Sequence, residues 1–153
     1  MKTKYRVFNN VSETTRKTMS HIHNKDTGPE VELRHALWMK GYRYRKNYKC
    51  LPGRQDICIT KLKIAIFVDS DFFHGRDWEK KLKQKVKNGN NGKYWEMKIQ
   101  ENIDRDNRID SELRGIGWTA LHFWTSDIKK DLPGCVRTIE EAVLDVKIMN
   151  PGD

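Results

Sequence analysis

The sequence feature that most constrains the fold is an uninterrupted apolar run, "IAIFV", at residues 64–68. A strand with one face in solvent alternates polar and apolar residues, whereas a strand buried on both faces shows a continuous run of this kind. Burial on both faces requires other elements on each side of the sheet. We therefore expect a mixed α/β fold built in layers.

Helices and further strands are predicted around this run. The segment "TGPEVELRHALWMKGY" carries Pro29 near its start and Gly41 at its end, and these residue types suit a helix start and a helix stop. Weaker helical character covers residues 12–26, the longest helical pattern covers residues 94–117, and a final amphipathic helix follows "DLPGC". Further strands are predicted at residues 42–49, 55–60 and 118–124.

The chain length suits one domain, because 153 residues bury one adequate hydrophobic core. We expect a flexible leader at residues 1–11 and a single domain at residues 12–150. Residues 79–93, "EKKLKQKVKNGNNGK", are dense in lysine and end in asparagine and glycine, which indicates a surface insertion. Either this insertion is simply solvated, or its lysines contact a nucleic-acid backbone.

The formal net charge is +9, a large excess for a chain of this size. Nucleic acid is the polyanion that this charge suits best, although an anionic membrane surface or a ribosome is also compatible. No apolar run approaches the ~20 residues of a membrane span, and "MKTKYRVFNN" lacks the apolar segment of a signal peptide. We expect a soluble, cytoplasmic protein without a membrane partner.

Asp106 is the residue that most clearly breaks its local pattern. On a helical wheel it falls between Ile99 and Leu113, in the middle of the apolar stripe of the longest predicted helix. An acid on a buried face is costly unless it has a partner, so Asp106 is a candidate functional residue. Asp110 lies near the same face and competes with it, and a partly exposed acid near a bent stretch is the alternative for Asp106.

Three further residues could belong to the same site. Asp56 opens a strand after a Pro-Gly turn, Glu30 shares a helix face with Leu33, and His74 precedes Gly75 in a loop. Each has a plain alternative: a turn residue, the glutamate of a "TGPE" capping box and a solvent-facing histidine. Acids at the ends of neighbouring strands, with one on a packed helix, are nevertheless the typical ligands and partners of a magnesium site that hydrolyses phosphodiesters.

Several segments, in order and spacing, resemble the very-short-patch-repair (Vsr) endonuclease family. They are "KDTGPE", "LRHALWMKGYRYRKNYKCLPGRQDI", "IAIFVDSDFFHG", "KYWEMKIQENIDRDNRIDSELRGIGW" and "LHFWT", and they extend from about residue 16 to residue 125. The resemblance implies a restriction-endonuclease-like three-layer core with a mixed central sheet flanked by helices. It also implies a monomeric, Mg²⁺-dependent endonuclease that nicks one strand of double-stranded DNA in mismatch repair or related site-specific cleavage, alongside repair or restriction-modification proteins.

The resemblance also assigns roles by position. Asp56 and the main-chain carbonyl of Val68 match the groups that bind Mg²⁺, and Glu30 matches the glutamate that orients a metal-bound water. His74 matches the general base, and Asp106 matches the aspartate that orients it, which supplies the partner that a buried aspartate requires.

An aromatic pair, Phe72 and Phe73, matches the residues that wedge between base pairs, which costs a few kcal/mol of unstacking and gains a bent duplex. Met19 lies near the place where the family's N-terminal helix acts from the other groove. Lys25, Arg43 and Arg45 are further candidates for contacts with DNA.

The sequence departs from the family in its central motif, where "DSDFFHGRDW" replaces the usual "HGCFWHGH". The zinc-ligand positions hold Asp71, Arg76, Trp78 and, later in the chain, Ser126. Because the cysteines of this chain also lack C-x-x-C spacing, we expect no structural zinc and no disulfide framework.

Two departures touch the catalytic residues themselves. Asp69 replaces a histidine, which either adds a carboxylate to the metal site or removes a proton donor to the leaving group. Gln55 replaces the proline that usually precedes the catalytic aspartate. The alternatives to a Vsr-like nuclease are therefore a catalytically impaired DNA-binding module derived from this fold, and a restriction or homing-type nuclease.

Overall fold

The structure is a computed structural model that describes residues 28–150. The strands are β1 (Ile57–Ile59), β2 (Ile64–Asp69) and β3 (Thr119–Trp124). The helices are α1 (Gly28–Met39), α2 (Lys83–Lys87), α3 (Gly92–Gly115), α4 (Thr125–Lys130) and α5 (Leu132–Met149), with a 3-10 turn at Thr60–Leu62 and a π-helical turn at Trp78–Leu82. The predicted leader, the helix predicted at 12–26, Met19 and Lys25 lie outside the described residues.

The strands form a mixed sheet in the order β1-β2-β3. Strand β1 pairs with β2 in antiparallel orientation, and β2 pairs with β3 in parallel orientation. Strand β2 lies between two strands, and helices cover both of its faces, which explains its continuous apolar run. The parallel register places Phe67 beside His122 and Asp69 beside Trp124.

Helices cover both faces of the sheet. On one face, Ile64 and Ile66 pack with apolar residues of α1, α4 and α5, which include Leu33, Leu37, Ile128, Val136, Ile139 and Val143. On the other face, Ala65 and Phe67 pack against Leu113 of α3. The predicted three-layer, restriction-endonuclease-like architecture with a mixed central sheet is confirmed.

Two local predictions differ from the structure. The edge strand predicted at residues 42–49 is wrong, because only an isolated bridge between Arg45 and Cys58 forms there. Asn47 has a φ of +52°, a left-handed conformation that interrupts an extended strand. Helix α4, between β3 and α5, was not predicted.

The lysine-rich segment at 79–93 is more ordered than a solvated insertion requires. It forms the end of the π-helical turn, then α2, then a turn into α3. Val86 is buried against Trp78, Tyr94 and Trp95, while Lys85 and Lys87 are exposed. Within residues 28–150, no helix is both long and apolar enough to span a membrane.

Candidate active site

One face of α3 presents three polar residues at four-residue spacing: Asn102, Asp106 and Asp110. Residues four apart lie above one another on a helix, so these side chains form a row toward β2, β3 and the loop after β2. Each of the three binds a different part of the candidate site.

Asp106 holds His74. The Nδ1 atom of His74 lies 2.6 Å from Asp106 Oδ2, and both side chains are about a quarter exposed. Burial alone lowers the pKa of His74, but the hydrogen bond to Asp106 and the charges of Asp69 and Asp106 outweigh it, so the pKa is raised above its ordinary value. Because Nδ1 is engaged, Nε2 is the nitrogen that a water or substrate can approach.

The loop between β2 and the π-helical turn packs directly on α3. Asn102 donates a hydrogen bond from Nδ2 to the main-chain oxygen of Phe73, at 2.8 Å. Gly75 has a φ of +70°, and a Cβ atom there would lie 2.7 Å from Ile103 and 2.9 Å from Ile99. A glycine at this position therefore allows the close approach that brings His74 to Asp106.

Asp56 lies where β1 begins, beside the end of β2. The main-chain N–H of Val68 donates to Asp56 Oδ2 at 2.6 Å. Burial raises the pKa of Asp56 to about 7, and the charges of Glu30 and Asp69 act in the same direction, against the hydrogen bond from Val68. The carboxylates of Glu30 and Asp69 are thus close enough to destabilise the charge of Asp56.

This set of donors fits a hard divalent cation. Carboxylate and carbonyl oxygens are the ligands that Mg²⁺ prefers, and Asp56 forms no salt bridge with a described cationic side chain. A second group lies nearby, since ligand atoms of Asp69, His74 and Asp106 all fall within 4.8 Å of one another. These residues therefore form a candidate divalent-metal site.

Gln55, which precedes Asp56, is fully buried and anchors the turn before it. Its Nε2 atom donates to the main-chain oxygens of Pro52 and Gly53, at 2.9 and 3.2 Å. Gly53 in turn approaches α3 so closely that a Cβ atom would lie 2.8 Å from Ile109. The glutamine thus fixes by hydrogen bonds the turn that positions Asp56.

Glu30 is buried on α1, with only 3% of its surface exposed. It forms an ion pair with Arg34 at 2.8 Å, and it shares the helix face of Leu33, as the periodicity predicts. The capping box involves Thr27, which lies outside the described residues. The charge of Glu30 reaches Asp56, so Glu30 belongs to the acidic cluster.

A histidine that the sequence reasoning missed completes the cluster. His122 Nδ1 lies 2.6 Å from Asp69 Oδ2, and its Nε2 lies 2.7 Å from Asp110 Oδ1. Burial lowers the pKa of His122, but its hydrogen bonds to both aspartates and their negative charges outweigh that effect and raise the pKa to about 9. The sequence feature that could have identified His122 is its position as the lone titratable residue of the strand "TALHFW".

A hydrogen-bonded group, which we call the Asp71–Arg76 latch, forms at three of the four positions to which the resemblance assigns the family's zinc ligands: Asp71, Arg76 and Ser126. Asp71 accepts from the hydroxyl of Ser126 at 2.5 Å, the hydroxyl of Thr125 at 3.1 Å and Arg76 at 3.2 Å. Arg76 also donates to Ser126 at 2.9 Å and to Asp127 at 3.0 Å. The latch ties the loop after β2 to the start of α4.

The fourth position, Trp78, has a different environment. It is buried in the aromatic cluster beside α3, and its Nε1 atom donates to Gln100 Oε1 at 3.0 Å. Trp78 therefore joins the loop to α3, whereas the latch joins it to α4.

The expected wedge residues lie on the same aromatic cluster. Phe72 and Phe73 are partly buried, and their ring centroids lie 5.2 and 5.7 Å from that of Trp95. Arg43 and Arg45 are both exposed, and their guanidinium groups lie over Trp38 and Tyr48, at 3.6 and 5.6 Å. Aromatic packing thus orients all four side chains.

Comparison with known proteins identifies the family. The family model for the DNA mismatch endonuclease Vsr matches residues 8–80. The type II nicking enzyme V.NmeDIP of Neisseria meningitidis serogroup C is 39% identical over 133 residues, which cover 87% of this chain and 88% of the relative.

Two further relatives agree. The type II nicking enzyme V.HpaIIP of Haemophilus parainfluenzae is 37% identical over 80% of this chain and 84% of its own length. The DNA mismatch endonuclease Vsr of Escherichia coli K12 is 32% identical over 72% of this chain and 69% of its own length. Because these matches span most of both chains, this chain belongs to the DNA mismatch endonuclease Vsr family.

Proposed function

We propose that the protein is a Mg²⁺-dependent DNA endonuclease that hydrolyses a phosphodiester bond and nicks one strand of double-stranded DNA. The observation that carries the proposal is the His74–Asp106 pair, held at 2.6 Å beside the acidic cluster around Asp56. The names of two relatives, both type II nicking enzymes, support a single-strand cut.

The metal would be held by the Asp56 carboxylate and the main-chain carbonyl of Val68, with Glu30 nearby to order a water. A bound Mg²⁺ would offset the charge of the scissile phosphate and lower the pKa of the attacking water. That Asp69 adds a carboxylate to this metal site stays a prediction. Its hydrogen bond to His122 favours a role with the histidines instead.

His74 would remove the proton from the attacking water through its Nε2 atom. Asp106 keeps the proton of His74 on Nδ1, and it stabilises the imidazolium that forms when Nε2 accepts a proton. Positioned general bases contribute about 10²- to 10⁴-fold to rate, so loss of either residue should be measurable even when DNA still binds.

Basic and aromatic residues would bind the duplex. Exposed Arg43 and Arg45, together with Lys85 and Lys87 after the π-helical turn, would contact phosphates, which releases counterions. Phe72 and Phe73, whose rings both contact Trp95, would probe the base stack or wedge into it.

The test is the nicking of supercoiled plasmid. We expect open circles to accumulate with wild-type protein and Mg²⁺, and not with Asp56→Ala or in EDTA. The control is His35→Ala, an exposed residue of α1, which should nick at the wild-type rate. Equal background nicking by wild type and Asp56→Ala on several DNA substrates would contradict the catalytic proposal.

Two further comparisons identify the biological task. Faster nicking of mismatched than of matched duplexes supports a repair role, whereas equal cleavage at one matched sequence supports a restriction or homing role. Tight DNA binding without cleavage and without any effect of Mg²⁺ indicates a DNA-binding module derived from the nuclease fold.

A further inference from the structure

We propose that His122 is a positioning residue that fixes the Asp69 carboxylate beside His74, so that Asp106 alone holds the His74 ring. This inference rests on the proposed nuclease function, because it assigns His122 a role in that same site. It concerns a residue of β3 that the resemblance does not assign.

Both ring nitrogens of His122 are occupied. Nδ1 lies 2.6 Å from Asp69 Oδ2 at the end of β2, and Nε2 lies 2.7 Å from Asp110 Oδ1 on α3. A histidine that transfers a proton to or from a substrate needs a nitrogen that can approach the reacting atom. With neither nitrogen open, His122 acts through its partners rather than on DNA.

The position of the His122 ring is set by the sheet. The parallel register places His122 beside Phe67, and the two rings stack with centroids 4.6 Å apart and planes at 9°. The ring is therefore held on one face by Phe67 and at both nitrogens by aspartates. A side chain fixed in this way can orient the groups that it binds.

The consequence falls on Asp69. Its Oδ2 atom is engaged by His122, while its Oδ1 atom lies 3.8 Å from His74 Nδ1, too far for a hydrogen bond. The same Nδ1 atom lies 2.6 Å from Asp106. Asp69 thus contributes charge to His74 without competing for its hydrogen bond.

Without His122, Asp69 would be free to rotate. Its carboxylate could then bind His74 Nδ1 directly and draw the ring away from Asp106, which would misdirect Nε2. Asp106 and Asp110, one turn apart on α3, thus each bind a different histidine, and His122 keeps the two pairs separate.

The experiment compares wild type with His122→Asn, Asp69→Asn and the double variant, and the control is His35→Asn, at an exposed position of α1. We expect the kcat for plasmid nicking to fall about 10- to 100-fold in each single variant, as is typical for the loss of an orienting partner. The KM for DNA should stay unchanged, because His122 does not contact the substrate. The double variant should lose no more than the worse single variant, because both remove one contact.

A second readout does not depend on activity. We expect the ring ¹H–¹⁵N signals of His74 to shift in His122→Asn and in Asp69→Asn, and to stay in place in His35→Asn. Circular dichroism establishes that each variant is folded. If His122→Asn fails to fold, two other variants give the same comparison. Asp69→Asn keeps the His122 ring, and the double variant removes the uncompensated carboxylate.

A folded His122→Asn or Asp69→Asn protein with wild-type kcat, or with unmoved His74 signals, overturns the proposal. If wild type itself does not nick any DNA, the proposed function fails, and the His74 signals alone then decide whether His122 positions Asp69. The failures of the two proposals are therefore distinguishable.

Discussion

The Nδ1 atom of His74 and the Oδ2 atom of Asp106 lie 2.6 Å apart, although 32 positions separate the residues in sequence. The contact joins a loop to the middle of α3. It gives a partly buried aspartate of α3 the partner that its burial requires, and it leaves the other nitrogen of His74 for chemistry.

We predict that Asp106→Asn moves the pH–rate profile of nicking to lower pH. Burial lowers the pKa of His74, but Asp106 is the largest contributor that raises it, so removing its charge lowers the pKa. A base is active when deprotonated, and the rising limb of the profile therefore appears at lower pH, while the maximal rate falls because the ring is less well oriented. Single-turnover rates between pH 5 and 10 measure both effects, and an unmoved rising limb would count against the pair.

We predict that Gly75→Ala weakens nicking at least about tenfold and lowers the melting temperature. A Cβ atom at this position meets Ile103 at 2.7 Å and Ile99 at 2.9 Å, so the loop must move away from α3 and take His74 with it. Gly41→Ala is the matched control, because Gly41 also has a positive φ, +93°, but has no atom within 4 Å of the added Cβ.

Backbone strain alone would affect the melting temperatures of both glycine variants similarly. If Gly41→Ala and Gly75→Ala lower the melting temperature equally and nick DNA at the same rate as each other, the close packing of the loop on α3 does not position His74.

We predict that Asp56→Asn stabilises the metal-free protein above pH 7. Burial raises the pKa of Asp56 from 3.8 to about 7, so between these values the folded state binds a proton that the unfolded state has released. The contribution of Asp56 to the free energy of unfolding of the wild type therefore falls as pH rises through that window. Asp56→Asn avoids this cost, which is on the order of 4 kcal/mol for a pKa that moves from 3.8 to about 7.

Melting temperatures in EDTA at pH 4 and pH 8 measure this effect. The two proteins should differ at pH 8 and converge at pH 4, and Glu79→Gln, a change at an exposed position, should match wild type at both. Added Mg²⁺ should raise the melting temperature of wild type and not of Asp56→Asn. Equal stability at pH 8 would contradict a charged, desolvated Asp56.

We predict that Asp71→Ala loosens the loop after β2. Asp71 accepts hydrogen bonds from Thr125, Ser126 and Arg76, and their loss should cost about 1 kcal/mol because the group is partly exposed. Faster amide exchange at residues 71–78 measures the loosening. Asp127→Ala, which removes only one partner of Arg76, should have a smaller effect, and equal effects would argue against Asp71 as the main acceptor of the latch.

The layered fold could be predicted from sequence because "IAIFV" demands cover on both faces of β2. Asp106 could also be singled out, because helical periodicity places it among apolar residues without any knowledge of its partner. Both signals are local, because each depends only on the spacing of apolar residues within one strand or one helix.

His122 could not be identified in the same way. Its contacts with Asp69 and Asp110 depend on the register of β3 against β2 and on the packing of α3 across them, and neither is encoded in the strand's own pattern. The irregular course of residues 42–49 was missed for a related reason, since alternating aromatic and basic residues resemble a strand but only Arg45 pairs with the sheet.

The most direct test of the central claim is the single-turnover cleavage of a duplex labelled on each strand in turn, with Mg²⁺ varied, by wild type, Asp56→Asn and His74→Ala. We predict one cut, on one strand, at a rate that rises with Mg²⁺ and falls at least about 100-fold in either variant. Cleavage that persists in EDTA, or that either variant performs at the wild-type rate, would contradict an active site built from Asp56 and the His74–Asp106 pair.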